Sequence, residues 1–129
     1  MESLPLHLVK NVFLDIGNTL VTIDFELIAR RLGARGVAVS PEALMRAEAA
    51  ARPGISRRIA AGASTEGEDS FTFYVRSVFA QLNHGAGEVD FAAEFARELK
   101  AEVATPEIWS REIPGVRDAL AVLGGLGIQ

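Results

Sequence analysis

Val12-Phe13-Leu14-Asp15-Ile16-Gly17-Asn18-Thr19-Leu20-Val21 is the stretch whose reading decides the fold. An unbroken apolar run ends on a carboxylate and passes directly into a polar turn. Apolar runs without alternation are what parallel sheets bury on both faces, so Val9 to Leu14 reads as a strand. In open α/β sheets ligands bind just outside the carboxyl ends of such strands, which puts Asp15 where chemistry is usually done. Leu20-Val21-Thr22-Ile23 reads as a second, shorter extended piece.

Composition narrows the classes. The chain has 129 residues, 49% of them hydrophobic, enough for a real core and too many for a disordered chain. Its net charge is -4, with Lys and Arg scattered, so no nucleic-acid footprint is expected. The absence of cysteine removes disulfides, zinc-thiolate sites and thiol nucleophiles together. No signal peptide and no apolar run of membrane-spanning length is legible, so a cytoplasmic, non-membrane protein is expected.

Beyond Phe25 the hydrophobic period becomes helical. Phe25, Ile28 and Leu32 share one face, with Gly33 and Gly36 as a stop. Ser40-Pro41 is a cap followed by proline at the first helical position, and the helix it opens is expected to end before Pro53-Gly54. Thr65 and Glu68 fit a capping box ahead of a stripe of Phe71, Val75, Val78, Phe79 and Leu82. Phe91, Phe95, Leu99 and Val103 form another stripe, Thr105-Pro106 a short turn, and Pro114 opens a last helix with Val116, Leu120 and Leu123. Glycines at 124, 125 and 127 end it, and Ile128-Gln129 reads as the start of a new strand.

This inventory contains too few strands. A lone buried-type strand leaves its backbone N–H and C=O groups unpaired. A helix that ends in glycines and runs into an apolar residue looks like the crossover of a βαβ unit. The expectation is therefore that the chain is part of a longer protein, or that a second chain completes the sheet.

The residues at both ends resemble one family. Val12-Phe13-Leu14 followed by Asp15-Ile16-Gly17-Asn18-Thr19-Leu20-Val21 is similar to the first motif of the haloacid dehalogenase (HAD) superfamily, usually an apolar strand, Asp-x-Asp-x-Thr and an apolar pair. Trp109-Ser110 and Ile113-Pro114-Gly115-Val116, with Leu120, Leu123 and Gly127, resemble the segment by which these proteins re-enter their core after a helical cap. The resemblance implies an α/β fold: an incomplete HAD-like Rossmannoid core with an inserted helical-bundle cap, mostly α by content. Its implied divisions are a first core strand and motif loop at 1–23, a helical cap at 24–110 and a return to the core at 111–129.

The resemblance also implies a function, a phosphatase of small phosphorylated metabolites. Asp15 aligns with the nucleophile that forms an aspartyl-phosphate. Gly17, Asn18 and Thr19 would hold phosphate, and Mg²⁺ would take the Asp15 carboxylate and the Gly17 main-chain carbonyl. The departure is Gly17, where most phosphatases of the family carry an aspartate as general acid, a group typically worth ~10²–10⁴-fold. Three readings stay open: a phosphatase using good leaving groups, a dehalogenase-type enzyme whose halide needs no proton, or a weak catalyst. The family's later phosphate- and metal-binding residues would fall beyond Gln129, so this chain alone is expected to turn over little substrate. The alternative is a non-catalytic association module, forming a homodimer or joining a complementing chain through its exposed core strand.

Other residues have plainer readings. Asp24 reads as an N-cap before Phe25, and Arg57-Arg58 as a solvated helix face. Lys100 lies within a helix of the cap and cannot be assigned the family's lysine role. His7 and His84 lack ligand-type neighbours. Trp109 reads as a packing residue, and Phe71, Phe79, Phe91 and Phe95 as the core of the helical segment.

Overall fold

The computed structural model describes residues 6–63, 68–82 and 90–129. They are mostly helical, with one two-stranded sheet. The chain divides into two compact units, Asp24–Ile108 and a unit made of the segments on either side of it, Met1–Ile23 with Trp109–Gln129.

The helical unit carries α1 (Phe25–Ala34), α2 (Pro41–Ala60), α3 (Glu68–Gln81), α4 (Phe91–Glu102) and α5 (Thr105–Ile108). Its caps follow from sequence chemistry. The Asp24 carboxylate accepts the Leu27 N–H at 3.0 Å, and the Ser40 hydroxyl accepts the Ala43 N–H at 3.1 Å ahead of Pro41. The capping box at Thr65 and Glu68 lies outside the described residues and side chains. The core is the set of stripes turned inward: Ile28 and Leu32 from α1, Leu44, Ala47 and Ala51 from α2, Val75, Val78 and Phe79 from α3, and Phe95, Ala96 and Leu99 from α4. Phe79, Phe91 and Phe95 form a triangle with ring centroids 5.5–6.2 Å apart. At the ends of the unit the Asp24 N–H donates to the Ile108 carbonyl at 2.9 Å, so its first and last residues are adjacent.

α2 departs from expectation by running through Pro53-Gly54 to Ala60. Proline removes one i→i−4 bond and crowds the preceding turn, which favours an end or a kink. Here the helix continues past the missing bond, and beyond it the Arg58 guanidinium sits 4.1 Å from the Phe73 ring centroid on α3.

Among the described residues of this unit, one carboxylate is buried. Glu48, 1% exposed, accepts Arg52 Nε at 2.8 Å and the Tyr74 hydroxyl at 3.1 Å. The Glu48 carboxylate raises the Arg52 guanidinium above its ordinary value. Burial first, then the neighbouring Glu48 charge, pushes the Tyr74 hydroxyl far above the ordinary tyrosine value of 10.0. Glu48→Ala is expected to cost about 2–3 kcal/mol in urea unfolding, because it removes the charged partner of Arg52 and the acceptor of the Tyr74 hydroxyl. A folded-state value raised at Tyr74 means its stabilisation is complete below about pH 10 and is lost as pH rises beyond it. Tyr74→Phe is expected to flatten that alkaline decline, as read by unfolding curves between neutral and high pH.

The other unit contains a 3₁₀ turn at Leu6–Leu8, the strands β1 (Val21–Thr22) and β2 (Arg111–Glu112), and α6 (Val116–Gly125). β1 and β2 pair antiparallel, with Val21 opposite Glu112 and Thr22 opposite Arg111. The strand expected over Val9 to Leu14 is not formed as such. A strand needs a continuous ladder, and this segment has a single rung: Gln129 N–H donates to the Lys10 carbonyl at 3.0 Å, and Val12 N–H donates to the Gln129 carbonyl at 2.7 Å. That rung is parallel. α6 has no fully buried residue; Val116 and Leu123 are half-buried, while Leu120 is exposed.

Candidate functional site

Asp15 is exposed and lies just past the residues that pair with Gln129. Its Oδ1 accepts the N–H of Ile16 at 2.9 Å. The chain then folds back on itself within one turn. The Ile16 carbonyl accepts the N–H groups of Leu20 at 3.0 Å and Val21 at 3.1 Å, with a longer approach from Thr19 at 3.4 Å. Asn18 N–H donates to the Val21 carbonyl at 2.7 Å, which makes a parallel bridge between Gly17 and Val21.

Asn18 is what allows this reversal. Its φ of 58° is left-handed, a conformation that asparagine tolerates better than most side chains. The Thr22 hydroxyl donates to Asn18 Oδ1 at 3.1 Å and closes the turn from the first residue pair of the sheet. Thr22 is a bracing residue that sequence reading missed. The i, i+4 spacing of Asn18 and Thr22 was the available signal. Thr19, the threonine of the motif, is exposed and makes no side-chain hydrogen bond among the described residues.

The turn thus brings together Asp15, Gly17, Asn18 and Thr19. Two of the amides named for phosphate, those of Asn18 and Thr19, donate to carbonyls inside the turn. Among the described residues no hydrogen bond reaches the Gly17 amide, the Gly17 carbonyl or Asp15 Oδ2. Those oxygens are two hard donors two residues apart, the type that Mg²⁺ takes alongside waters. No group of three or more His, Cys, Asp or Glu that could hold a metal occurs among the described residues.

Gly17 has a further neighbour. A Cβ placed on it would lie 3.6 Å from Cζ3 and 3.9 Å from Cε3 and Cη2 of Trp109, the sole tryptophan in the chain. This is ordinary contact, and Gly17 is not among the glycines with positive φ. No backbone requirement therefore excludes a side chain at position 17; the indole occupies the space beyond its Cβ. Gly17→Ala is expected to leave stability unchanged or raise it by up to about 1 kcal/mol through the unfolded chain. Gly17→Asp is expected to move the emission of the lone indole by placing a carboxylate against it. Unchanged emission in Gly17→Asp would show that the ring does not rest on this turn.

The remaining candidates lie elsewhere. Lys100 sits 5.4 Å from the Phe71 ring centroid, and Arg58 covers Phe73 while Arg57 is exposed. His7 is exposed, and His84 is outside the described residues. A cavity of about 160 Å³ between α1 and α4 is lined by Arg31, Arg35, Phe95, Glu98, Leu99 and Glu102. Its charges neutralise each other, since Arg31 pairs with Glu102 and Arg35 with Glu98 at 2.9 Å. No helix among the described residues is long and apolar enough to cross a membrane. No protein-family model matches the chain, and no curated protein matches it as a relative.

Proposed function

We propose that the chain carries the nucleophile portion of a HAD-type hydrolase, a phosphatase of small phosphorylated metabolites working through an aspartyl-phosphate on Asp15. The observation that carries this reading is topological. An exposed carboxylate follows a segment paired in parallel with Gln129, and the whole helical unit is inserted between the strands β1 and β2 that follow its turn. An insertion at that point in the sequence is where the resemblance implies a helical cap.

In the proposed step Asp15 Oδ2 attacks phosphorus, an O–P bond forms, and the bond to the leaving oxygen breaks with its electron pair. Mg²⁺, held by the Asp15 carboxylate and the Gly17 carbonyl, would offset charge between nucleophile and phosphate. Gly17 supplies no proton, so the leaving group must depart as a stable anion or take its proton from water. Good leaving groups, an aryl oxide or the anomeric oxygen of a sugar 1-phosphate, fit this site.

The test uses 4-nitrophenyl phosphate with Mg²⁺, whose leaving group needs no acid. The expected result is a burst of nitrophenolate accompanied by a hydroxylamine-labile phosphoryl label on the chain, followed by little or no steady turnover. Slow steady turnover follows from Gly17, which supplies no base to activate the water that must hydrolyse the aspartyl-phosphate. Absence of any Asp15-dependent burst or label overturns the reading.

A further inference from the structure

Trp109 stands two residues ahead of β2, and the pairing of that strand fixes it beside the turn that carries Asp15. Thr22 lies opposite Arg111 and Val21 opposite Glu112, and the Ile113 N–H extends the ladder by donating to the Leu20 carbonyl at 3.0 Å. The sole tryptophan of the chain is thereby brought to Gly17, two residues past Asp15.

The approach is through the ring face. A Cβ on Gly17 would be 3.6 Å from Cζ3 and 3.9 Å from each of its ring neighbours, Cε3 and Cη2. Near-equal distances to three consecutive ring atoms describe a point above the plane, since an edge-on approach would leave the flanking atoms much farther away than the nearest. The side-chain direction of residue 17 therefore runs into the face of the six-membered ring. In the proposed reaction that is where a proton donor for the leaving group would stand. An apolar surface takes its place.

We propose that Trp109 is a specificity-determining residue of the Asp15 site and selects aryl phosphates over phosphates with a non-aromatic leaving group. This preference presupposes the hydrolase reading of Asp15. An aromatic face carries the negative part of the ring quadrupole, so it repels a leaving oxygen that keeps its charge localised. An aryl oxide spreads that charge into its own ring, and this ring can stack offset against the indole. Of the two leaving groups that suit a site without a general acid, the aryl oxide and the anomeric oxygen, the indole favours the first.

The test compares 4-nitrophenyl phosphate with acetyl phosphate, whose leaving groups both depart without an acid while only the first is aromatic. The readout is the rate at which each labels the chain with phosphoryl in the presence of Mg²⁺. Trp109→Leu is expected to lower the preference for the aryl substrate by about three- to tenfold, and Trp109→Phe to keep most of it. A merely structural role of Trp109 would slow both substrates alike. If both label the chain through Asp15 and Trp109→Leu leaves their ratio unchanged, the selectivity role falls and the hydrolase reading stands. Absence of an Asp15-dependent label from either substrate overturns both. A second measurement keeps the native tryptophan. In Asp15→Asn, which cannot react, 4-nitrophenyl phosphate is expected to quench the lone indole saturably, and excess orthophosphate to reverse the quenching. Quenching that rises without saturation and ignores orthophosphate overturns the role of Trp109.

Discussion

Asp15→Asn is expected to abolish the nitrophenolate burst and the phosphoryl label, a loss of at least about a thousand-fold in the rate of phosphoryl transfer. The substitution is nearly isosteric. An amide oxygen can still accept the Ile16 N–H that Asp15 Oδ1 accepts now, so the turn at 16–21 should keep its bonds. What it removes is the anionic oxygen that attacks phosphorus. Circular dichroism unchanged between the two proteins, with burst and label absent only in Asp15→Asn, assigns the loss to chemistry. Equal bursts from both would remove Asp15 from the reaction and the hydrolase reading with it.

Phe95→Ala is expected to lower the unfolding free energy by about 3–5 kcal/mol. Phe95 is 2% exposed and closes the ring triangle with Phe79 and Phe91, so its loss leaves a cavity that two flanking aromatic rings cannot readily fill. Domains are typically stable by about 5–15 kcal/mol, so this one change threatens the helical unit. Urea unfolding followed at a helix-sensitive wavelength checks it. Ile59→Ala, at a 45% exposed site on α2, is the comparison and should cost no more than about 0.5 kcal/mol. Similar losses at both positions would mean that the aromatic triangle is not the centre of this core.

Much of the helical unit was legible because its signals are local. Ser40-Pro41, Asp24 before Phe25, and the stripes of α1, α3 and α4 each depend on residues within a turn or two of each other. The end expected at Pro53 was wrong: α2 runs on to Ala60, and its second half meets the Phe73 ring of another helix through Arg58, a contact that no local window contains. The buried Glu48 was equally invisible. A glutamate in a charged stretch reads as solvated until Arg52 and Tyr74 are found around it.

The candidate site divides in the same way. The sequence by itself determined the apolar run, the carboxylate that ends it and the turn pair Gly17-Asn18, because strand and turn chemistry is written into neighbouring residues. Only the tertiary structure decided that the Val9 to Leu14 run has a single parallel rung, contributed by Gln129, since a ladder is made between segments and not within one. It also decided that Trp109 fills the space beside Gly17, and that the amides of Asn18 and Thr19 are bonded within their own turn. Backbone groups bond to whatever the fold brings within reach, and the residues that come within reach are far apart along the chain.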